Sequence, residues 1–111
     1  MSFQHRELAS GRWQKLGFFD QMANIGSEVE RAINWRNKDH NLHSRKAAER
    51  ALELLFLTID DLKNRNRLKE LTRLYEVLVD YFFGQNQYSS SDFLWRKYFY
   101  AFNYAARVNT V

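Results

Sequence analysis

His40 and His43 stand three residues apart beside Asp39, a spacing that lets two imidazoles share one face of a helical turn and hold a metal loosely. The polar stretch 39–44 accounts for them equally well as a solvated connector. No Glu-x-x-His pair occurs, so a di-iron centre of the bundle type finds no support. Glu49 and Glu53 lie one turn apart, but Lys46 and Arg50 beside them make helix-surface ion pairs rather than an acid–base couple. No nucleophile stands with a base, and no glycine-rich phosphate loop is present. The sequence also has no cysteine, which excludes disulfides and thiolate metal sites and points to a reducing compartment. These residues predict no catalytic group, no bound metal and no cofactor.

The more informative chemistry lies in FLWRKYFYAFNY, residues 93–104, where seven of twelve residues are aromatic and Arg96 and Lys97 sit among them. One short helix cannot turn all these rings toward one core. At about 100° per residue, Leu94, Trp95, Tyr98, Phe99, Ala101, Phe102, Ala105 and Ala106 fall within one arc of about 160° and form the predicted core face. The opposite arc holds Phe93, Tyr100 and Tyr104 together with Arg96, Lys97, Asn103 and Arg107. Three readings of that outer face are open. An N-terminal arm covers the rings; or they form a subunit interface, where Tyr, Phe and Arg are enriched; or they stack on nucleic-acid bases while the cations meet phosphates. A second basic feature is KNRNRLKELTR, which carries Lys63, Arg65, Arg67, Lys69 and Arg73 with Glu70 its one acid. It reads as a solvated tip or as a phosphate-contacting one, with Asp60 and Asp61 just upstream to weaken it or pair with it.

The elements that must position these residues are helical. Proline is absent, glycines number four, and neither Asn-Gly nor Asp-Gly occurs as a hairpin signal. Phe18, Met22, Ile25, Val29, Ala32, Ile33 and Arg36 recur at three- and four-residue steps and predict a first helix over 18–37. Ser44 reads as the N-cap of a second helix to Ile59, whose face carries Ala48, Ala51, Leu52, Leu55, Ile59 and Leu62, widened by Leu54 and Leu57. A third runs from about 64 to Phe83, with Leu68, Leu71, Leu74, Tyr75, Leu78, Val79, Phe82 and Phe83 apolar and Gly84 as its C′ residue. Ser90 or Ser91 caps a fourth over 92–107. Four matched amphipathic helices with short connectors predict an all-α, antiparallel up-down four-helix bundle over 18–111, preceded by an arm over 1–17. In that arm Phe3, Leu8, Trp13 and Leu16 supply anchors, with Trp13 pinning it to a groove.

Gly26 is out of place in the middle of the first helix, where it costs about 1 kcal/mol relative to alanine. It predicts a close approach by another backbone, with Asn24 and Ser27 satisfying polar atoms at that contact. The surrounding QMANIGSEVERA resembles the NIAEG-type helical segment of the four-helix-bundle proteins encoded in ribosomal RNA intervening sequences. It is similar also to the accessory variability determinants of diversity-generating retroelements. ERALELLFLTI, residues 49–59, resembles the alanine-rich second helix of those bundles. The resemblance implies a homo-oligomeric bundle such as a pentamer, with a basic surface and a nucleic-acid or reverse-transcriptase partner. Arg36 and His43, six residues apart, resemble the Arg-x(4–6)-His signature of the HEPN ribonucleases. That resemblance implies action on the RNA backbone at a dimer cleft.

The chain has 111 residues, enough for one domain, and its net charge is +4 with a pI of about 9.5, which favours acidic partners. No apolar run approaches the roughly 18–20 residues that span a bilayer, and MSFQHRE lacks the apolar core of a signal peptide. A cytoplasmic protein with no membrane partner is expected. Its expected role is a non-enzymatic accessory or scaffold bundle that binds nucleic acid or a nucleic-acid enzyme and self-associates through Phe93, Tyr100 and Tyr104. The alternatives are a HEPN-like ribonuclease using Arg36 and His43, and a module for protein–protein interaction alone.

Overall fold

The computed structural model describes residues 11–108, so Phe3, His5 and Leu8 lie outside the described residues. A short 3-10 turn, Trp13–Lys15, precedes helix α1 at Phe18–Asn37. Helix α2 follows at Asn41–Ile59, then a 3-10 segment at Leu62–Arg67, helix α3 at Leu68–Phe83 and helix α4 at Asp92–Val108. Each helix is about 25–30 Å long. α1 packs closely on both α2 and α4, and α3 on α2, which makes an antiparallel up-down bundle. The pairing of ends shows the direction: Ser44 of early α2 bonds Ala32 of late α1, and Asp92 at the start of α4 bonds Arg36 at the end of α1. No strand occurs among the described residues, and none of their helices is long and apolar enough to cross a membrane.

The three-and-four spacing puts one stripe of α1 inside. Met22, Ile25, Val29, Ala32 and Ile33 are all essentially inaccessible. Met22, Ile25, Val29 and Ile33 meet Leu54, Leu55 and Leu57 of α2, Leu71, Leu74 and Leu78 of α3, and Trp95 and Phe99 of α4 in one core, while Ala32 packs with Ala47 and Ala48 of α2 in a smaller cluster. Several residues assigned to that core by periodicity lie outside it. Leu62 and Leu68 are exposed because the 3-10 segment changes the helical phase between α2 and α3. Leu94 and Ala101 are exposed because α4 presents a narrower face, centred on Trp95 and Phe99.

The helix ends differ from expectation in instructive ways. α2 begins at Asn41, and Ser44 is not its cap: its hydroxyl is buried and donates to the Ala32 carbonyl at 2.7 Å. The α1–α2 turn is closed instead by Asp39, at φ 62°, with His40 N–H bonded to Trp35 O and Asp39 N–H to Arg36 O. This is the Schellman pattern with an aspartate in the left-handed position that glycine usually takes. Gly84 ends α3 in extended, not left-handed, geometry. Asp80 closes that end by accepting the Gln87 and Tyr88 N–H groups. Ser91 caps α4, accepting Leu94 N–H at 3.1 Å.

Gly26 meets α4, as its type predicted, but the neighbour is a side chain. A Cβ there would lie 2.8 Å from Phe99 Cβ. Asn24 and Ser27 take no part in that contact; they donate to the Asp20 and Ala23 carbonyls of their own helix. Asp60 and Asp61 do not share a solvated helix end. Asp61 is buried, where it caps the 3-10 segment through Lys63 N–H and pairs with the Lys63 ammonium. Gln21 donates to Asp61, and Asn64 donates to Gln21 and to the Thr58 carbonyl. Trp13 is buried against this cluster, and its indole N–H donates to Thr58 Oγ1 at 2.9 Å. Lys63 Nζ also donates to the Gln14 carbonyl. The described part of the arm is thus pinned to the end of the bundle where α1 begins and α2 ends.

Candidate functional site

The outer face of α4 is set by the rows that α1 and α4 bury. Trp95 and Phe99 point inward, so residues on the opposite side of that helix face solvent. Phe93 is 70% exposed, Tyr100 64% and Tyr104 62%, so none of the three is shielded by the described arm. Lys97 lies between Phe93 and Tyr100, exposed and without a partner among the described residues. Arg107 is exposed one turn beyond Tyr104. Arg96 is different. Its guanidinium contacts both carboxylate oxygens of Glu30 at 3.0–3.1 Å and Asn34 Oδ1 at 3.1 Å. Those hydrogen bonds with Glu30 raise its pKa further. Arg96 therefore braces α4 on α1, and its charge is largely answered within the chain. From Phe93 to Val108 the helix contains no acidic residue.

The basic tip is likewise divided. Lys63 is committed to Asp61 and to the Gln14 carbonyl. Arg67 lies over the Phe18 ring at 4.0 Å and Arg73 over the Tyr88 ring at 4.6 Å, so both keep their charge at the surface while their guanidinium planes are held. Arg65 and Lys69 are exposed with no partner among the described residues. Phe18 in turn meets Phe102 of α4 edge-on at 5.8 Å, so the tip adjoins the C-terminal half of α4.

At the opposite end, Arg36 donates to Asp92 Oδ1 at 3.1 Å and to the Tyr81 carbonyl, and lies 4.4 Å over the Tyr81 ring. Burial alone would raise the Asp92 pKa, but bonds from Tyr81, Asn37 and Arg36 lower it below the ordinary carboxylate value. Tyr81 is raised, by burial first and then by its hydrogen bond to Asp92. His43 packs on Trp35 at 4.7 Å and His40 on the same ring at 5.2 Å. Arg36 and His43 therefore sit on two different helices, each engaged with other groups. Among the described residues, no three metal-ligating side chains cluster.

Periodicity did not reveal a cleft of about 360 Å³ between α1 and α4. Gly26, Val29, Ile33, Trp95 and Phe99 wall it, with Glu30, Arg96, Tyr100 and Asn103 at its polar side. Gly26 was its one sequence signal. The fold and this face define an all-helical bundle with an aromatic, cationic outer surface. No protein-family model, curated protein or solved structure matches the chain.

Proposed function

We propose that the chain is a non-enzymatic accessory bundle whose α4 outer face binds single-stranded nucleic acid. One observation carries the reading: three rings, each more than 60% exposed, share an acid-free helix face with Lys97 and Arg107. Large aromatic side chains left in water forgo about 1.5–3 kcal/mol each in burial, so a face that keeps three of them is an interaction site. Phe93 to Tyr104 spans about 16 Å along the helix, room for roughly five nucleotides at ~3.4 Å each. Stacking contributes about 1–3 kcal/mol per base and tolerates any sequence. The tip residues Arg65, Arg67, Lys69 and Arg73 extend the positive field from the C-terminal half of α4. The resemblance to intervening-sequence bundles supports the same reading and adds a reverse transcriptase or similar enzyme as a further partner. The absence of cysteine supports a reducing compartment such as the cytoplasm.

A second copy docking on the same face would set Lys97 and Arg107 of one chain against cations of the other. Charge therefore favours a polyanion here, and homo-oligomerisation through Phe93, Tyr100 and Tyr104 is the competing outcome. The test is fluorescence anisotropy with labelled single-stranded RNA, single-stranded DNA and duplex at two salt concentrations, together with solution mass. Single strands should bind more tightly than duplex, with affinity falling as salt rises. Phe93→Ser/Tyr100→Ser should weaken binding at least fivefold at unchanged thermal stability. Absence of binding in low salt refutes the proposal, as does binding indifferent to the two rings. A multimer that the double variant converts to monomer, with no binding in either state, would assign the face to self-association.

A further inference from the structure

We infer that α4 carries a second contact surface, the row Leu94, Ala101 and Val108, on which a second copy of the chain packs its own α4 in the reverse direction to form a two-fold dimer. The inference goes beyond the nucleic-acid reading and does not depend on it, since Phe93 and Tyr100 stay outside the contact.

Leu94, Ala101 and Val108 recur every seven residues, so they make one row along α4, on the side turned away from Trp95 and Phe99. Leu94 and Val108 are each 52% exposed, and Ala101 between them is exposed too. In a closed bundle α3 would cover this flank of α4. Here α3 packs on α2 and reaches α4 mainly through Tyr81 with Trp95 and Asp92 and through Glu70 with Tyr98. Those contacts fall on the core side of the row and leave it in water. Phe93 and Tyr100 project about 80–100° round the helix from Ala101, so the row is a surface distinct from the ring face.

The row is complementary to itself when reversed. A two-fold contact requires that every pairing occur twice. Ala101 stands midway between Leu94 and Val108, so turning a second helix end for end about it sets Leu94 on Val108 of the partner subunit and Val108 on the partner's Leu94. The two alanines at the centre let the helix axes approach to about 8 Å. Charge selects the same direction. Lys97 and Tyr104 lie four residues before and three after Ala101, on the rim nearest the ring face. Reversal places Lys97 of one chain beside the partner's Tyr104 ring, a cation–π pair made twice. A parallel alignment would bring the two Lys97 side chains level, with no acid from Phe93 to Val108 to answer them. Reversal separates them by about 12 Å along the axis, beyond the ~8 Å screening length at physiological salt. The row is about 21 Å long, a modest contact, so the dimer is reversible and fills as concentration rises.

The test uses the full chain, which has no cysteine of its own. In sedimentation over a concentration series the mass should climb from one chain toward two. Ala101→Glu sets two carboxylates together at the two-fold axis and should weaken the dimer roughly tenfold or more, with helix content and thermal midpoint unchanged because the site is exposed. Phe93→Ser/Tyr100→Ser should leave the dimer as it is. Single cysteines then report the direction, since a disulfide needs Cα atoms within roughly 7 Å. Under mild oxidation Ala101→Cys should link to itself. Leu94→Cys and Val108→Cys should link to each other when mixed, but neither to its own copy, and Tyr100→Cys should not link. A one-chain mass at every concentration overturns the inference. So does a dimer that Ala101→Glu leaves intact, or one that the two serines abolish. Leu94→Cys linking to itself as readily as to Val108→Cys overturns the reversed arrangement.

Discussion

Replacing Gly26 with alanine tests the packing of α4 on α1 directly. Alanine at an unconstrained helix-interior site should stabilise by about 1 kcal/mol relative to glycine. At position 26 the added methyl would stand 2.8 Å from Phe99 Cβ and 2.9 Å from Cγ and Cδ1. Ordinary contact begins near 3.4 Å, so the helices must part by about 0.6 Å. The Phe99 Cβ is fixed by the α4 backbone, and no rotamer moves it aside. The cost therefore lies at the upper end of the overpacking range, about 3 kcal/mol, and the net destabilisation is about 2 kcal/mol. That corresponds to a fall in Tm of roughly 8–15 °C. Urea unfolding and thermal melts of Gly26→Ala measure it. Ser27→Ala, one residue along and exposed, is the control and should stay within about 0.5 kcal/mol of wild type. Phe99→Ala cannot rescue the variant, because alanine keeps the Cβ. A Gly26→Ala protein as stable as wild type, or more stable, would refute the reasoning.

Asp61→Asn should destabilise the bundle by about 1–3 kcal/mol at pH 7, since the amide presents a donor where Lys63 and Gln21 already donate and Lys63 is partly solvated. Burial alone would raise the Asp61 pKa, but the bonds from Lys63 and Gln21 bring it below its ordinary 3.8. Its contribution is therefore complete above about pH 3.8 and lost as pH falls through the lowered folded value, so the gap between wild type and Asp61→Asn in urea titrations should narrow as the pH is taken below 3.8. Asp39→Gly should stabilise by up to about 1 kcal/mol in thermal melts, because Asp39 holds a left-handed conformation that glycine adopts without strain; a loss would show that the carboxylate matters there. Trp13→Ala should cost about 3–5 kcal/mol in urea unfolding. Trp13→Phe should cost less, since the Thr58 hydroxyl keeps its bond to the Leu54 carbonyl; a Trp13→Ala chain within 1 kcal/mol of wild type would mean the arm is not held by this residue.

Apolar periodicity was enough to place the four helices and the buried stripe of α1, because a core-facing row must repeat at the helical period. The exposure of Phe93, Tyr100 and Tyr104 followed from the same phase argument. What periodicity could not reach was non-local polar pairing. Gln21, Thr58, Asp61 and Asn64 are types that ordinarily face water, and only the meeting of the start of α1 with the end of α2 makes them interior. Ser44 failed as a cap for the same reason: a serine near a helix start looks alike whether it bonds its own helix or the Ala32 carbonyl across the turn. Arg96 and Lys97 are adjacent and chemically alike, yet only Arg96 comes within reach of Glu30. Gly26 announced a close neighbour without naming Phe99, and the cleft beside it depends on the spacing between two helices, which no single segment encodes.

The four helices are not held equally. α3 buries only Leu71, Leu74 and Leu78, and meets α4 chiefly through isolated side chains: Tyr81 with Trp95 and Asp92, and Tyr98 with Glu70. α1, by contrast, is gripped from both sides along its length. The molecule therefore has a preferred seam along which to come apart. Opening should begin between α3 and α4, and amide protons of α3 should exchange with solvent well before those in the middle of α1.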